Sequence, residues 1–326
     1  MKHALSSTLN STQRRLGLST GVLCLLLTLL GWSTVPLFLR HLSAEVDYWT
    51  NNGWRYGASA IFWIPALVWA YRKKRLPSQI WRDAIVASLA NIGGQTAFTA
   101  AFHEMNPGLV TFGLRTQLIW VALGAWVLIP AERPIIASRR YLFGAAILMA
   151  GLLPVLLGGD ASLGELNPKG LALSILSAIG YGVYGISVRK WMHHYHPVTA
   201  FAVICQLTAA GLIVLMICFG RECGTYVPRL DGIILGELAI SAFIGIAVGH
   251  VFYYVSIARI GVVITSGVLQ LQPFIVGVCS FFLFGEMFHW WQWTAGAVAV
   301  GGAYLMLSST GSGAKRITMA ATEGSD

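Results

Sequence analysis

The sequence predicts an all-α integral membrane protein with ten transmembrane helices, arranged as two inverted five-helix repeats with both termini in the cytoplasm. Three observations predict this fold. The chain has 326 residues, of which 56% are hydrophobic and only 11% are charged, whereas about a quarter of the residues in soluble domains are charged. The basic residues alternate between two sides of the predicted membrane, and blocks of the first half recur in the second half.

Ten apolar segments are long enough to be membrane helices, because a bilayer core of about 30 Å requires roughly 20 apolar residues per helix. In chain order they are residues 17–39, 48–70, 81–102, 109–130, 138–157, 169–188, 198–219, 234–257, 262–284 and 290–308. Prolines within these segments are compatible with membrane helices, since neighbouring helices or water can satisfy the carbonyl groups that a proline leaves free.

The distribution of lysine and arginine predicts the orientation of the chain. The side that carries both termini holds 16 of the 22 basic residues, and the opposite side holds four. Cytoplasmic loops are enriched in basic residues, so both termini are predicted to be cytoplasmic. Nucleic-acid binding, which a net charge of +9 would otherwise suggest, is disfavoured because the charge is spread over several connections.

These segments divide the chain into five parts. They are a cytoplasmic N-terminal segment (1–16), a first repeat (17–157), an external linker (158–168), a second repeat (169–308) and a cytoplasmic tail predicted to be disordered (309–326). The first apolar segment follows two arginines, as in a signal peptide, but no clean cleavage site follows it. It is therefore interpreted as the first span.

Two blocks of the first half recur in the second half in the same order. Residues 21–42 align with residues 170–191 at an offset of 149, and residues 111–132 align with residues 265–286 at an offset of 154. Because each repeat contains five spans, the two halves have opposite orientations in the bilayer, an architecture used for alternating access. The matched pairs include Gly31 with Gly180, Trp32 with Tyr181, Arg40 with Arg189, Gly113 with Gly267, and Glu132 with Glu286, the last pair being predicted to have a structural role at helix ends.

Several segments resemble a known family of membrane proteins. GWSTVPLF in the first span, NNGWRYGAS in the second and LQPFIVGVCSFFLFGE in the ninth are similar to the ten-helix EamA-type permeases of the drug/metabolite transporter superfamily. The resemblance covers about residues 17–308 and implies a plasma-membrane carrier with a central cavity lined by helices 1, 3, 4, 6, 8 and 9. Such permeases often carry a proline in both the fourth and the ninth helix; this chain has Pro273 in the ninth but Ile119 in the fourth.

Polar and aromatic residues near the middle of the membrane are the candidates for substrate binding, because polar groups in hydrocarbon are costly and usually face a cavity or a partner. Aromatic walls with a few amides and one imidazole suit a small amphipathic metabolite. Hydrogen bonding between helices is the alternative interpretation. His250 is also a candidate for proton coupling. The residues placed at this depth by a rise of about 1.5 Å per residue are Trp32, Gln95, Tyr181, Tyr184, His250, Gln270 and Gln272.

Two arginines, Arg55 and Arg115, lie about 10 Å from the outer end of their spans. Their side chains either reach for the membrane surface or face the transport pathway, where a guanidinium would bind a carboxylate or phosphate. The repeat places Leu269 opposite Arg115 and Gln206 opposite Arg55. Because a structural arginine would be expected in both halves, the asymmetry favours substrate binding by Arg115, whereas for Arg55 both interpretations stay open.

The predicted function is a secondary transporter in the bacterial cytoplasmic membrane that exports a small amphipathic metabolite, such as an amino acid or a related organic anion. The expected partners are the substrate and the lipid bilayer, with no nucleic acid, cofactor or metal. Protons are a candidate coupling ion, and facilitated diffusion without a coupling ion is the open alternative. The oligomeric state stays open, since the small residues at 296–302 permit close packing within or between chains.

The alternatives are a membrane-embedded enzyme and a receptor or channel-like protein. An enzyme would require clustered His, Asp or Glu at catalytic or metal-binding spacing, which the sequence lacks. A receptor usually carries a sizeable output region, and a channel would show symmetric polar rings. No nucleotide-binding P-loop motif is present, which argues against primary pumping by this chain.

Overall fold

The computed structural model describes residues 2–104, 113–157, 167–276 and 290–323, together with positions 110 and 278. Regular secondary structure in these residues is helical throughout, and a helix overlaps each of the ten predicted spans. The helices are α1 (Lys2–Glu45), α2 (Tyr48–Arg72), α3 (Gln79–Glu104), α4 (Gln117–Leu128), α5 (Arg139–Leu157), α6 (Pro168–Met192), α7 (Pro197–Phe219), α8 (Gly232–Ile260), α9 (Val262–Val276) and α10 (Trp290–Glu323).

The helices have the length and composition of a multi-pass membrane protein. Five of them (part of α1, α3, α6, α7 and α8) are long and apolar enough to cross a membrane. The helix α4 meets the same criterion together with the segment Pro130–Ile136, although the two are bent by 118°. Large apolar side chains such as Leu23 and Ile61 are 57% and 70% exposed, as expected for a surface that faces lipid.

Both terminal helices are longer than the spans predicted for them. The helix α1 begins at Lys2, and α10 continues to Glu323. The helix α10 thus continues beyond residue 308, where the tenth predicted span ends. No proline follows Pro273 in the sequence, and the tail contains Ala, Lys, Arg and Met, which favour helices. Most of the predicted linker and the end of the ninth predicted span lie outside the described residues.

The contacts between helices are symmetric: a contact between two helices recurs between the corresponding helices of the opposite halves. The helix α1 packs on α8 as α6 packs on α3, and the pairs α2–α7, α4–α9 and α5–α10 join corresponding helices. Corresponding helices run antiparallel: Gly144 of α5 lies against Gly302 of α10, whereas Gly151 lies against Ala295. This antiparallel relation is consistent with two inverted repeats. Residues 296–302 therefore include small residues that pack within the chain, against α5.

The carboxylate of Glu132 connects three helix ends. Its oxygens accept hydrogen bonds from the backbone N–H groups of Val262 (3.0 Å) and Val263 (2.9 Å), at the start of α9. They also accept a hydrogen bond from Nε of Arg189 in α6, at 2.9 Å. The first N–H groups of a helix have no partner within that helix, and a negative charge is favourable there. The helix-end role predicted for Glu132 agrees with this geometry, while Glu286 lies outside the described residues.

Several helices near the centre of the bundle depart from regular α-helix. The helix α9 contains a 3₁₀ turn at Leu269–Leu271, just before Pro273, and α8 contains a π-helical segment at Ala242–Val248. The helix α1 contains Pro36, and residues 115–116 form a turn before α4. Such departures leave backbone carbonyl groups without their usual α-helical donor. The side chains that satisfy these groups form much of the candidate site.

Candidate functional site

A cavity lies at the centre of the bundle, between α1, α2, α3, α6, α8, α9 and the segment that leads into α4. The space between its side chains amounts to ≈ 760 Å³, counting the part that is open to solvent. Its walls combine aromatic rings with amides, one imidazole and two guanidinium groups. Eight of the nine residues predicted from the sequence line it: Trp32, Arg55, Gln95, Arg115, Tyr181, Tyr184, His250 and Gln272.

The ninth predicted residue, Gln270, does not belong to the cavity lining. Its side chain is buried and donates from Nε2 to the carbonyl oxygen of Ser266, at 3.0 Å, one turn earlier in α9. Gln270 and Gln272 are two residues apart, so about 200° separate them around a helix. Only one of the two can therefore face the cavity, and it is Gln272.

Two polar cavity residues, Gln117 and Tyr253, were missed by the sequence reasoning. Tyr253 lies three residues after His250 in α8, so helical spacing alone places it on the same face. Gln117 lies two residues after Arg115, and a regular helix would not place both on one face. The turn at residues 115–116 makes it possible, and no sequence signal indicated that turn.

Aromatic rings surround His250. Its ring centroid lies 5.0 Å from that of Trp32 and 5.8 Å from that of Tyr184. The imidazole also stacks on the ring of Phe201, with a centroid distance of 5.1 Å and an interplanar angle of 20°. Its Nδ1 lies 3.1 Å from the carbonyl oxygen of Gly245. Since a carbonyl only accepts, Nδ1 carries the proton in this bond, and the neutral ring keeps Nε2 as an acceptor.

The amide of Gln95 is held by a buried hydrogen-bond network behind the cavity wall. Its Nε2 donates to the hydroxyl of Tyr56 at 2.9 Å, and Nδ2 of Asn91 donates to the same hydroxyl at 3.1 Å. The amide of Asn52 donates to Thr99 Oγ1 at 2.7 Å. These bonds join α2 to α3. The predicted alternative for Gln95, hydrogen bonding between helices, therefore applies together with its place in the cavity wall.

Arg55 lies at the cavity wall with its side chain inside the bundle, only 2% exposed. Its Nη2 donates to the carbonyl oxygen of Ser241, at 3.4 Å, where the π-helical segment of α8 begins. Its Nε is buried without a hydrogen-bond partner. Among the described residues, the ion pairs all involve other cations. Arg55 thus presents a buried guanidinium whose charge no described carboxylate pairs with.

Further donors on the same face of α2 also bind this irregular part of α8. Ser59 Oγ donates to Ala242 O and Trp63 Nε1 donates to Ala247 O, each at 3.1 Å. Together with Arg55 these residues follow a spacing of four, which is one helix face. The face therefore supplies donors along the π-helical segment, a type of irregularity often found at functional sites.

Arg115 is also buried, with 5% exposure. Its Nη1 donates to the carbonyl oxygens of Leu269 and Gln270, at 3.4 and 3.3 Å. Both distances are long for N–H···O bonds. The two carbonyls belong to the turn of α9 that precedes Pro273. Neither arginine therefore extends to the outer surface of the bundle.

Trp32 and Gln272 connect the remaining irregular positions. Gln272 Nε2 donates to the carbonyl oxygen of Trp32 at 2.6 Å, and this carbonyl is four residues before Pro36. The indole Nε1 of Trp32 in turn donates to Gly245 O, at 2.8 Å, within the π-helical segment of α8. Five cavity residues, including His250, therefore donate a hydrogen bond to a backbone carbonyl at or near a helix irregularity, as membrane interiors require.

A bundle of apolar helices with a polar, partly charged central cavity and antiparallel corresponding helices is typical of membrane transporters. The sequence model of the EamA-like transporter family matches residues 19–157 and, separately, residues 168–308. The chain therefore belongs to the EamA-like transporter family, and its two halves are two copies of the family unit. A multi-pass membrane location and a small-molecule substrate follow from this membership, and the family is not an enzyme family.

Comparisons with individual proteins add support for the fold alone. No curated protein matches the chain in sequence. Among solved structures, 28 chains match. One of them, described only as a crystal structure of a protein, aligns with a TM-score of 0.70 at 17% sequence identity, covering 88% of this chain and 96% of that chain.

Proposed function

We propose that the chain is a secondary transporter that exports a small organic anion or zwitterion, such as an amino acid, through the central cavity. The observation that supports this proposal most is the buried guanidinium of Arg55 at the cavity wall. Burying a charge without a counter-charge is costly, and a substrate carboxylate would supply the missing partner through charge-assisted hydrogen bonds. The unpartnered Nε of Arg55 is a donor that such a substrate would satisfy.

The remaining walls favour a substrate with an apolar or aromatic body. Trp32, Tyr181, Tyr184 and Tyr253 line the cavity, and aromatic rings interact favourably with other rings and with apolar groups. An amphipathic amino acid would place its carboxylate at the arginine and its side chain against the rings.

The two halves of the chain supply the elements of an alternating-access mechanism. Corresponding helices run antiparallel, which supports two inverted repeats that rock around a central site. We propose ten membrane-spanning helices with both termini in the cytoplasm, on the strength of the ten helical segments and the distribution of Lys and Arg. In this orientation, the connection that Glu132 makes to Arg189 and α9 lies on the cytoplasmic side.

His250 is the proposed proton-coupling group. It is the imidazole that lines the cavity among the described residues, and histidine changes its charge near physiological pH. A proton that binds His250 in one orientation of the carrier and leaves in the other would couple export to proton entry. Such coupling suits a carrier in the bacterial cytoplasmic membrane.

Flux into proteoliposomes tests the proposal. The purified protein is reconstituted and supplied with a panel of radiolabelled amino acids and related organic acids, with and without a pH gradient. Saturable flux that requires the protein, and that unlabelled substrate suppresses by competition, is expected. Protein-free vesicles serve as the control for leakage. An absence of protein-dependent flux over the whole panel would contradict the proposed function.

A further inference from the structure

The ladder of backbone hydrogen bonds in α9 is interrupted where Pro273 enters the helix. In a regular α-helix, the carbonyl of residue 269 accepts from the N–H of residue 273, and proline has no N–H. The chain forms a 3₁₀ turn at Leu269–Leu271 instead, in which the N–H of Gln272 bonds to the carbonyl of Leu269. A further hydrogen-bond donor would stabilise the buried carbonyl group of Leu269 in this position.

Arg115 supplies that donor from the other half of the protein. Its Nη1 lies 3.4 Å from Leu269 O and 3.3 Å from Gln270 O. Leu269 O is the carbonyl that Pro273 leaves without its α-helical partner. A charged donor that contacts two carbonyls is well suited to this task, because hydrogen bonds from ionised groups are stronger than neutral ones.

The two repeats differ at the positions that correspond to Arg115 and Pro273. At the repeat offset of 154, Ile119 corresponds to Pro273 and Arg115 corresponds to Leu269. Ile119 keeps its backbone N–H, which donates to the carbonyl oxygen of Thr116 at 2.9 Å. The half with the proline therefore lacks the arginine, and the half with the arginine lacks the proline.

We propose that Arg115 is a positioning residue whose guanidinium takes the place of the N–H that Pro273 lacks, and so holds the Leu269–Gln272 turn against the cavity. This turn contributes Leu269 and Gln272 to the cavity lining. Gln272 also donates to Trp32 O, so the position of the turn fixes a contact between α9 and α1. Arg55 then provides the substrate's main charge contact. This division of roles rests on the proposed transport function, whereas the pairing of Arg115 with Pro273 does not.

A double-mutant cycle tests the pairing. Wild type, Arg115→Met, Pro273→Ala and the double variant are purified in detergent, and their Tm values are measured without substrate. Pro273→Ala restores an N–H to the helix, so the arginine should no longer be needed. Arg115→Met is expected to lower Tm by several degrees in the wild-type background, and the Pro273→Ala background should remove most of this loss.

The matched control is Arg55→Met in the same two backgrounds. Arg55 contacts α8 rather than α9, so the change in Tm that its loss causes should be the same with proline or alanine at position 273. Arg115→Lys, which keeps the charge but has a single donor group, should lose less than Arg115→Met and should also be rescued. If Arg115→Met is too unstable to purify, recovery of folded protein in the double variant supports the pairing.

If Arg115→Met lowers Tm equally in both backgrounds, the proposal is overturned. It is also overturned if Arg115→Met cannot be purified and the added Pro273→Ala substitution does not restore folded protein. Transport provides the second readout. In the Arg115→Met variant the KM for substrate should rise, and Pro273→Ala should bring it back towards the wild-type value. A rescued Tm in a protein that transports nothing would support the pairing while contradicting the proposed transport function, so the two failures are distinguishable.

Discussion

Nη1 of Arg115 lies 3.4 Å from the carbonyl oxygen of Leu269, the residue that corresponds to Arg115 in the second repeat. Two equivalent positions that contact each other lie on the pseudo-two-fold axis between the repeats. Arginine at both positions would bring two like charges together in a medium of low dielectric constant, which is costly. A structural arginine on the axis is therefore confined to one half, so the sequence asymmetry does not by itself indicate a ligand.

The hydrogen bond between Gln272 and Trp32 should stabilise the protein in a way that depends on Pro36, as the contact of Arg115 is proposed to depend on Pro273. Replacing Gln272 with Leu leaves the carbonyl of Trp32, four residues before Pro36, without its side-chain donor. Leaving a buried acceptor unsatisfied costs about 1–3 kcal/mol, so thermal unfolding of the purified variant should show a lower Tm. In a Pro36→Ala background, which restores the helical donor, the loss should shrink. The same substitution at another cavity glutamine, Gln117→Leu, should be insensitive to residue 36; equal sensitivity of both would contradict the account.

Removal of the charge of Glu132 should destabilise the protein strongly. Its buried carboxylate accepts from Arg189 Nε and from the N–H groups of Val262 and Val263. Breaking a buried pair of this kind costs about 3–5 kcal/mol. Glu132→Gln should therefore lower Tm clearly in detergent. Glu237→Gln, which removes the partner of the exposed His41, should change stability by about 1 kcal/mol or less. Similar Tm values for the two variants would count against a role for Glu132 in joining helix ends.

Asp47 predicts a dependence of stability on acid pH. Burial raises the pKa of its carboxyl, but hydrogen bonds from Thr50, the Arg221 N–H and the Tyr226 hydroxyl outweigh burial, so the pKa lies below the usual value. A lowered pKa stabilises the folded state above the unfolded-state pKa of about 3.9. That stability is lost as the pH falls through the lower folded-state pKa.

The Tm of wild type should therefore fall more steeply below pH about 4 than the Tm of Asp47→Asn, while the difference between the two is constant near neutral pH. Tyr226→Phe removes one donor and should move the decline to higher pH. Parallel pH profiles of the wild type and Asp47→Asn would rule out this contribution.

His250 predicts the pH dependence of transport. If its protonation couples to transport, His250→Phe should flatten the response of flux to a pH gradient and leave flux driven by the substrate gradient measurable. Phenylalanine keeps the ring that packs against Trp32 and Phe201. His193→Phe, at an exposed position, is the control and should keep the full response. A full pH response in His250→Phe would remove this residue from coupling.

The membrane fold and most of the cavity were predictable from the sequence, because apolar length and helix depth are local properties. Gln95 and His250 were found because polar groups at mid-membrane depth usually face the interior of a bundle, and Trp32 was found because it lies at the same depth. The partners of these groups were not predictable. The contact of Arg115 with Leu269 depends on how distant helices meet, and the turn at residues 115–116 that exposes Gln117 has no proline or other local signal.

The central claim is that Arg55 binds the carboxylate of the substrate, and a comparison of two ligands tests it most directly. The apparent affinity for the best transported amino acid and for its amide, which lacks the negative charge, is measured by competition in wild type and in Arg55→Gln. Loss of a hydrogen bond to a charged group costs about 1.5–3 kcal/mol, which is roughly a 10- to 150-fold loss of affinity.

The account predicts that Arg55→Gln lowers the affinity for the amino acid by this factor and leaves the affinity for the amide nearly unchanged. Arg55→Lys is expected to recover part of the lost affinity for the amino acid. An equal loss for both ligands, or an unchanged affinity for the amino acid, would contradict it.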